Sequence, residues 1–151
     1  MPNDGSLLRR VKHDLDHLEW NPDKGSFMPR VHSDSLHFER EQPKHPSVLS
    51  TFWRQHLSRH GLGPRAMLDS THRAKGYKLV YQIAAEEVRR IQSGSHSIQV
   101  VHDPVGDRPI DCAHSTFLMP AGMPKKDVKY ALARAMQLVY GRVTLEPPEG
   151  A

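Results

Sequence analysis

The sequence predicts an α+β fold: a single domain with a small mixed or antiparallel sheet, helices on one face and a C-terminal helix. Three observations predict it. Residues 77–83 and 97–101 carry strand-like apolar patterns, whereas residues 125–139 carry an apolar stripe at helical spacing. Helices and strands interleave along the chain, as in a small sheet covered by helices. The segment joining 77–83 to 97–102 is near the minimum of about a dozen residues for a parallel crossover, short for one that holds a helix, so antiparallel or mixed pairing is favoured.

The elements follow in order. Leu7, Leu8, Val11, Leu15 and Leu18 fall on one helical stripe that Ser6 or Asp4 could cap. Residues 6–19 are therefore expected as an amphipathic helix or a loosely docked N-terminal segment. Trp20 to Gly25 reads as a turn. Residues 27–38 are expected to be extended, anchored by Met28, Val31, Leu36 and Phe38. The charged stretch Glu39 to Pro46 is a loop, and Ser47 then caps a helix through Val48, Leu49, Phe52, Trp53, His56 and Leu57. Gly61-Leu62-Gly63-Pro64 ends that helix. Residues 65–74 fit more than one class, and Lys75-Gly76 marks a turn.

The strand 77–83 leads into a short helix from Ala84 to Ile91, with Val88 and Ile91 inward, broken at Ser93-Gly94-Ser95. A strand at 97–101, a loop from Asp103 to Asp111 with prolines at 104 and 109, and a third strand at 114–119 come next. Gly122-Met123-Pro124 opens the final helix, with Pro124 near its first turn. Its inward stripe is Val128, Ala131, Leu132, Ala135, Met136 and Val139, and Gly141 stops it. Residues 1–5 and 146–151 are expected as flexible ends.

A chain of 151 residues suits one domain and buries a real core without staples. A formal charge of +4 is too small to mark a nucleic-acid binder by itself. Eleven histidines make the charge rise steeply in mild acid. One cysteine excludes an internal disulfide framework and a multi-cysteine zinc site. Met1-Pro2-Asn3-Asp4-Gly5 is no signal region, and no apolar run approaches the roughly 20 residues of a membrane span, so a cytoplasmic protein without membrane association is expected.

Chemistry-bearing residues are densest between Val100 and Ser115, which hold two histidines, three aspartates and the cysteine. If 97–101 is a strand, His102 and Asp103 stand at its C-terminal end. Cys112 and His114 share a face if that stretch is extended. His102, Asp103, Asp111 and His114 are the candidate catalytic set. A divalent metal could take His102, Asp103 and His114 with Asp111 or Cys112, leaving a position open for water. Cys112 with His114 or His102 as base would make a nucleophile. His114-Ser115-Thr116-Phe117 fits the His-x-Thr-x pattern of two-histidine phosphoesterases, but the second motif, His96-Ser97-Ile98-Gln99, lacks the threonine and lies too close. The alternative to all of these is a turn-rich connection in which His114 bonds loop backbone and Cys112 is a small buried hydrophobe.

Leu18-Glu19-Trp20 through Ser33-Asp34-Ser35-Leu36-His37-Phe38, with His102-Asp103-Pro104 and Ala113-His114-Ser115, resembles a loose set of small uncharacterised bacterial proteins. Those carry an Asp-Pro loop and then an Asn-Pro-Ala-His-Ala-like element ahead of a C-terminal helix. Here the second element reads Asp111-Cys112-Ala113-His114-Ser115, without the Asn-Pro. The resemblance implies no activity. It draws attention to Asp103 and His114.

Residues 61–92 hold six basic against three acidic residues, and residues 93–123 hold one against three. Arg89, Arg90, Lys125, Lys126 and Lys129 are the candidate nucleic-acid contacts, the lysines opposing the dipole of the last helix. With Trp53-Arg54-Gln55-His56 and Arg59-His60 they could assemble a phosphate-binding groove. Lacking a complete catalytic set or a cofactor loop, the chain is expected to be a small accessory protein that binds an operon-encoded protein partner. The partner surface would be the N-terminal segment or the helix around Trp53. The alternatives are a metal-assisted hydrolase acting on nucleic acid or a nucleotide, and a basic nucleic-acid-binding protein. No cofactor is expected beyond a divalent metal, and self-association stays open.

Overall fold

The computed structural model describes residues 2–14, 16–21, 28–38 and 47–143. Leu15, the turn from residue 22, the loop 39–46 and the tail 146–151 lie outside the described residues. The architecture is the expected α+β class, with an antiparallel sheet and a C-terminal helix.

The first departure from expectation is at the N-terminus. Ser6–Lys12 is a strand, β1, and Leu18–Asn21 is a second, β2, antiparallel to β3, Met28–Val31. The spacing of Leu7 and Val11 satisfies a helical period and a strand period alike, because positions four apart share a face in both. Pairing with β5, Tyr77–Ala84, decides the matter through seven register pairs. Leu7 and Leu8 are consecutive and both buried, which suits a strand covered on both faces.

The second departure is residues 47–57. Ser47–Trp53 is β4, and only Arg54–Arg59 is helical, as α1. Val48, Thr51, Phe52 and Trp53 are β-branched or aromatic residues, whose side chains pack best on a pleated surface. A 3-10 turn at Pro64–Met67 and the short helix α2, Ser70–Ala74, resolve the ambiguous stretch. Asp69 caps α2 by accepting from the His72 amide at 2.8 Å.

Strand β5 runs into α3, Ala85–Arg89, as expected, with Val88 buried. The carbonyls of Gly5 and Asn3 accept from the first amides of α3 and tie down the start of the chain. Gly94 turns a hairpin of β6, Gln92–Ser93, and β7, His96–Ser97. Then come β8, Gln99–His102, the turn α4, Pro109–Cys112, and β9, His114–Met119. The final helix α5 spans Lys125–Ala135. It is shorter than the stripe to Val139 implies, since Gln137–Tyr140 leaves as β10. Gly141 ends that strand rather than a helix. It has φ +95°, and a Cβ there would stand 2.5 Å from the Lys78 carbonyl, so only glycine lets the chain cross β5 this closely.

The main sheet runs β10-β5-β1-β4-β9-β8, each neighbouring pair antiparallel. One apolar cluster gathers Leu7, Val11, Leu49, Phe117 and Leu132, and a second gathers Leu8, Leu57, Met67 and Val80. Since Leu7 and Leu8 point to opposite faces, each face of the sheet has its own core.

Tyr81 sits in the first core at 1% exposure, and its hydroxyl finds no hydrogen-bond partner among the described residues. Desolvation pushes its pKa up to about 12. A buried unsatisfied hydroxyl costs about 1–3 kcal/mol. Tyr81→Phe is therefore expected to raise stability by about 1 kcal/mol in urea unfolding. A loss of stability instead would mean that the hydroxyl is bonded.

Candidate functional site

The sheet is split where it matters most. β1 and β4 pair only at Leu7↔Trp53 and Leu8↔Phe52. Past Leu8, β1 stays with β5 to Lys12 while β4 stays with β9 back to Ser47. The two halves therefore part, and a cleft opens between them. Arg9 spans it, donating to the Ser50 carbonyl at 2.8 Å and to the Ser35 carbonyl at 3.3 Å. Its guanidinium replaces the missing backbone ladder. Its Nε is buried and has no partner among the described residues. Desolvation lowers the Arg9 pKa to about 10, so it remains cationic at neutral pH.

A pocket of about 280 Å³ occupies the cleft, lined by Arg9, Arg10, Ser50, Phe52, His72, Lys75 and Tyr77. Arg10 donates through Nε to the Met67 carbonyl and lies 4.8 Å from the centroid of the Phe52 ring. Lys12 lies 5.4 Å from the Tyr77 centroid, and the His72 ring meets Tyr77 edge-on at 6.3 Å. Desolvation lowers Arg10, with Asp69 acting in the opposite direction. His72 is lowered by desolvation and then by Arg10. Among the described residues the pocket lining contains no carboxylate. Asp69, the acid that acts on Arg10, is already engaged by the His72 amide and ring at 2.8 Å. The arrangement is a cationic hollow with two aromatic walls, suited to an anion that carries a flat apolar group.

The loop set singled out in the sequence is divided. His114 and Asp103 do meet: His114 Nδ1 is 2.7 Å from the Asp103 carbonyl and 3.9 Å from its carboxylate. Thr116 donates to that carboxylate at 3.1 Å. The His114 ring also meets Phe52 edge-on at 5.4 Å. Asp111 turns away to a bidentate pair with Arg108 at 2.8 and 3.1 Å, which lowers Asp111. Cys112 Sγ points to the carbonyls of Gly106 and Asp107 at 3.4 and 3.7 Å. His102 Nε2 donates to the Cys112 carbonyl at 2.5 Å. Among the described residues no three His, Cys, Asp or Glu side chains form a group able to hold a metal ion.

His102 belongs instead to an aromatic cluster at the end of β4. Its ring is 5.2 Å from Trp53 and 5.3 Å from His56, and His56 is 5.3 Å from His60. Arg59 lies 5.3 Å from the Trp53 centroid. Both ring nitrogens of His56 are buried without partners among the described residues. Desolvation, then His102, His60 and Arg59, lower the His56 pKa.

The basic residues marked earlier sit on two separate helices. Arg89 of α3 donates to Asn3 Oδ1 at 2.5 Å, and Arg90, which caps the end of α3, pairs with Glu86 at 2.7 Å. Lys125, Lys126 and Lys129 of α5 line a hollow of about 310 Å³ together with Ser33. Sequence reasoning missed Arg9, Arg10, Phe52 and Tyr77 as a set, having placed the arginines on the wet face of a helix. The available signal was Arg9-Arg10 inside an apolar run, which is unusual if both faces of that run are covered.

No protein-family model, curated protein or solved structure matches this chain.

Proposed function

We propose that the protein binds nucleic acid through the cleft between β1 and β4, with Arg10 and Lys75 meeting phosphate and Arg9 supporting them from beneath. The observation that carries the reading is the convergence of three cations in one concave site whose lining, among the described residues, has no carboxylate. Stripping water from a guanidinium is costly, and an apolar side chain would pack the cleft more cheaply. Arg9 holds the Ser50 and Ser35 carbonyls and so fixes the shape of the hollow, and a desolvated cation kept in such a place supports a ligand-binding role besides the structural one. The Asp103–His114–Thr116 contacts support a structural role for the 103–114 loop, since they close its two ends against β8 and β9.

The test is a titration of a fluorescent oligonucleotide at several salt concentrations. Binding should weaken linearly on logarithmic axes, by about 0.7 in slope for each phosphate neutralised on a single strand. Arg10→Gln with Lys75→Gln is expected to reduce that slope by about 1.4. Lys125→Gln with Lys126→Gln is expected to leave it unchanged. Failure to bind any nucleic acid at low salt overturns the reading, and a slope change confined to the α5 lysines moves the interface to that helix.

A further inference from the structure

We infer that the unit recognised in this cleft is an unpaired nucleotide, its base stacked on Tyr77 or Phe52 while its phosphate is held by the neighbouring cations. This rests on the phosphate-binding reading above and goes beyond it by naming what the phosphate is attached to. The two rings line the same pocket as the cations and are both half-buried. Each ring already supports a flat or charged group: the Arg10 guanidinium over Phe52 and the Lys12 ammonium near Tyr77. A nucleobase can take the place of either cation on its ring, and the displaced cation then turns to the phosphate, which for Arg10 also means giving up its bond to the Met67 carbonyl. His72, edge-on to Tyr77, bounds the far side of that ring.

The exposed faces of the two rings favour an unpaired base. At about 280 Å³ the hollow is just below the usual size of small-ligand sites, room for about one nucleotide unit. In a duplex the base faces are already covered by their neighbours, whereas a single strand offers them to aromatic side chains.

Four probes of matched fluorescence test this at low salt: an oligothymidylate, an abasic deoxyribose-phosphate oligomer of the same length, a duplex of the same length, and thymidine monophosphate as competitor. The oligothymidylate is expected to bind at least about 10-fold tighter than the abasic oligomer, as stacking of one base implies. Tyr77→Leu should remove most of that difference without changing abasic binding, and Tyr77→Phe should keep it. Because Phe52 also packs on the second core, Phe52→Leu is read only alongside an unchanged circular dichroism spectrum. Competition by the mononucleotide at similar affinity identifies a free nucleotide as the ligand, and its absence identifies a strand; either outcome supports the inference. Equal binding of abasic and base-bearing oligomers, or of duplex and single strand, overturns the inference and leaves phosphate binding standing. Binding of none of the four overturns both.

Discussion

Phe117→Ala is expected to destabilise the protein by about 3–5 kcal/mol, the cost of removing a fully buried aromatic side chain and leaving a cavity. Phe117 is 0% exposed and stands on β9 opposite Leu49 of β4 and Val100 of β8. It is thus the hinge of the half of the sheet that carries the 103–114 loop and one wall of the cleft. Domains of this size are stable by about 5–15 kcal/mol, so the variant should lose a large fraction of the total. With a urea m value of about 2 kcal/mol per molar, the midpoint should fall by about 2 M with the slope unchanged. Phe117→Leu refills most of the volume and should cost less than half as much. A loss below about 1 kcal/mol for the alanine variant would show that β9 is not seated between β4 and β8 in this register.

How much of this was legible in the sequence depends on whether local pattern and tertiary pairing agree. They agree for β5, β9, α3 and the start of α5, where alternation or a helical stripe points to one answer. They disagree for β1, where Leu7 and Val11 suit both periods, and for β4, where Ser47 imitates a cap before a run that is aromatic and β-branched. They disagree again at Gln137–Tyr140, which continues the helical stripe and yet leaves to pair with β5. The site divides in the same way. The loop from His102 to His114 was visible because its residues are neighbours in sequence, and Asp103 and His114 do touch. The cleft was not visible, because it exists where β1 and β4 stop pairing, and residues about forty positions apart meet there. Arg9 and Ser50 carry no local sign of each other. The cluster of His56, His60 and His102 is hidden for the same reason: α1 and β8 meet only through the fold.

That histidine cluster makes the protein acid-sensitive in a window of its own. His56 is surrounded by His102 from β8, by His60 and Arg59 from its own helix and chain, and by Trp53, with no carboxylate among these contacts. Desolvation, then His102, His60 and Arg59, hold its pKa below the ordinary value of 6.5, and His72 is lowered in the same direction by desolvation and Arg10. A base with a lowered folded-state pKa takes up its proton more readily when unfolded. Stability from the neutral ring is therefore complete above pH 6.5 and is lost as pH falls below it, by at most about 1.4 kcal/mol per pH unit for each group. The paired carboxylates act later. Asp111, lowered by Arg108, and Asp69, lowered by the His72 amide, contribute stability above 3.8 that disappears only as pH falls further. Urea midpoints between about pH 7.5 and about pH 5 should thus decline before any carboxylate titrates. His56→Gln keeps a polar side chain of similar reach without the titration, so it should shrink this upper step to the part His72 contributes and leave the lower one intact. Parallel curves for the two proteins across the upper window would mean that His56 is solvated in solution and that the three imidazoles do not share one site.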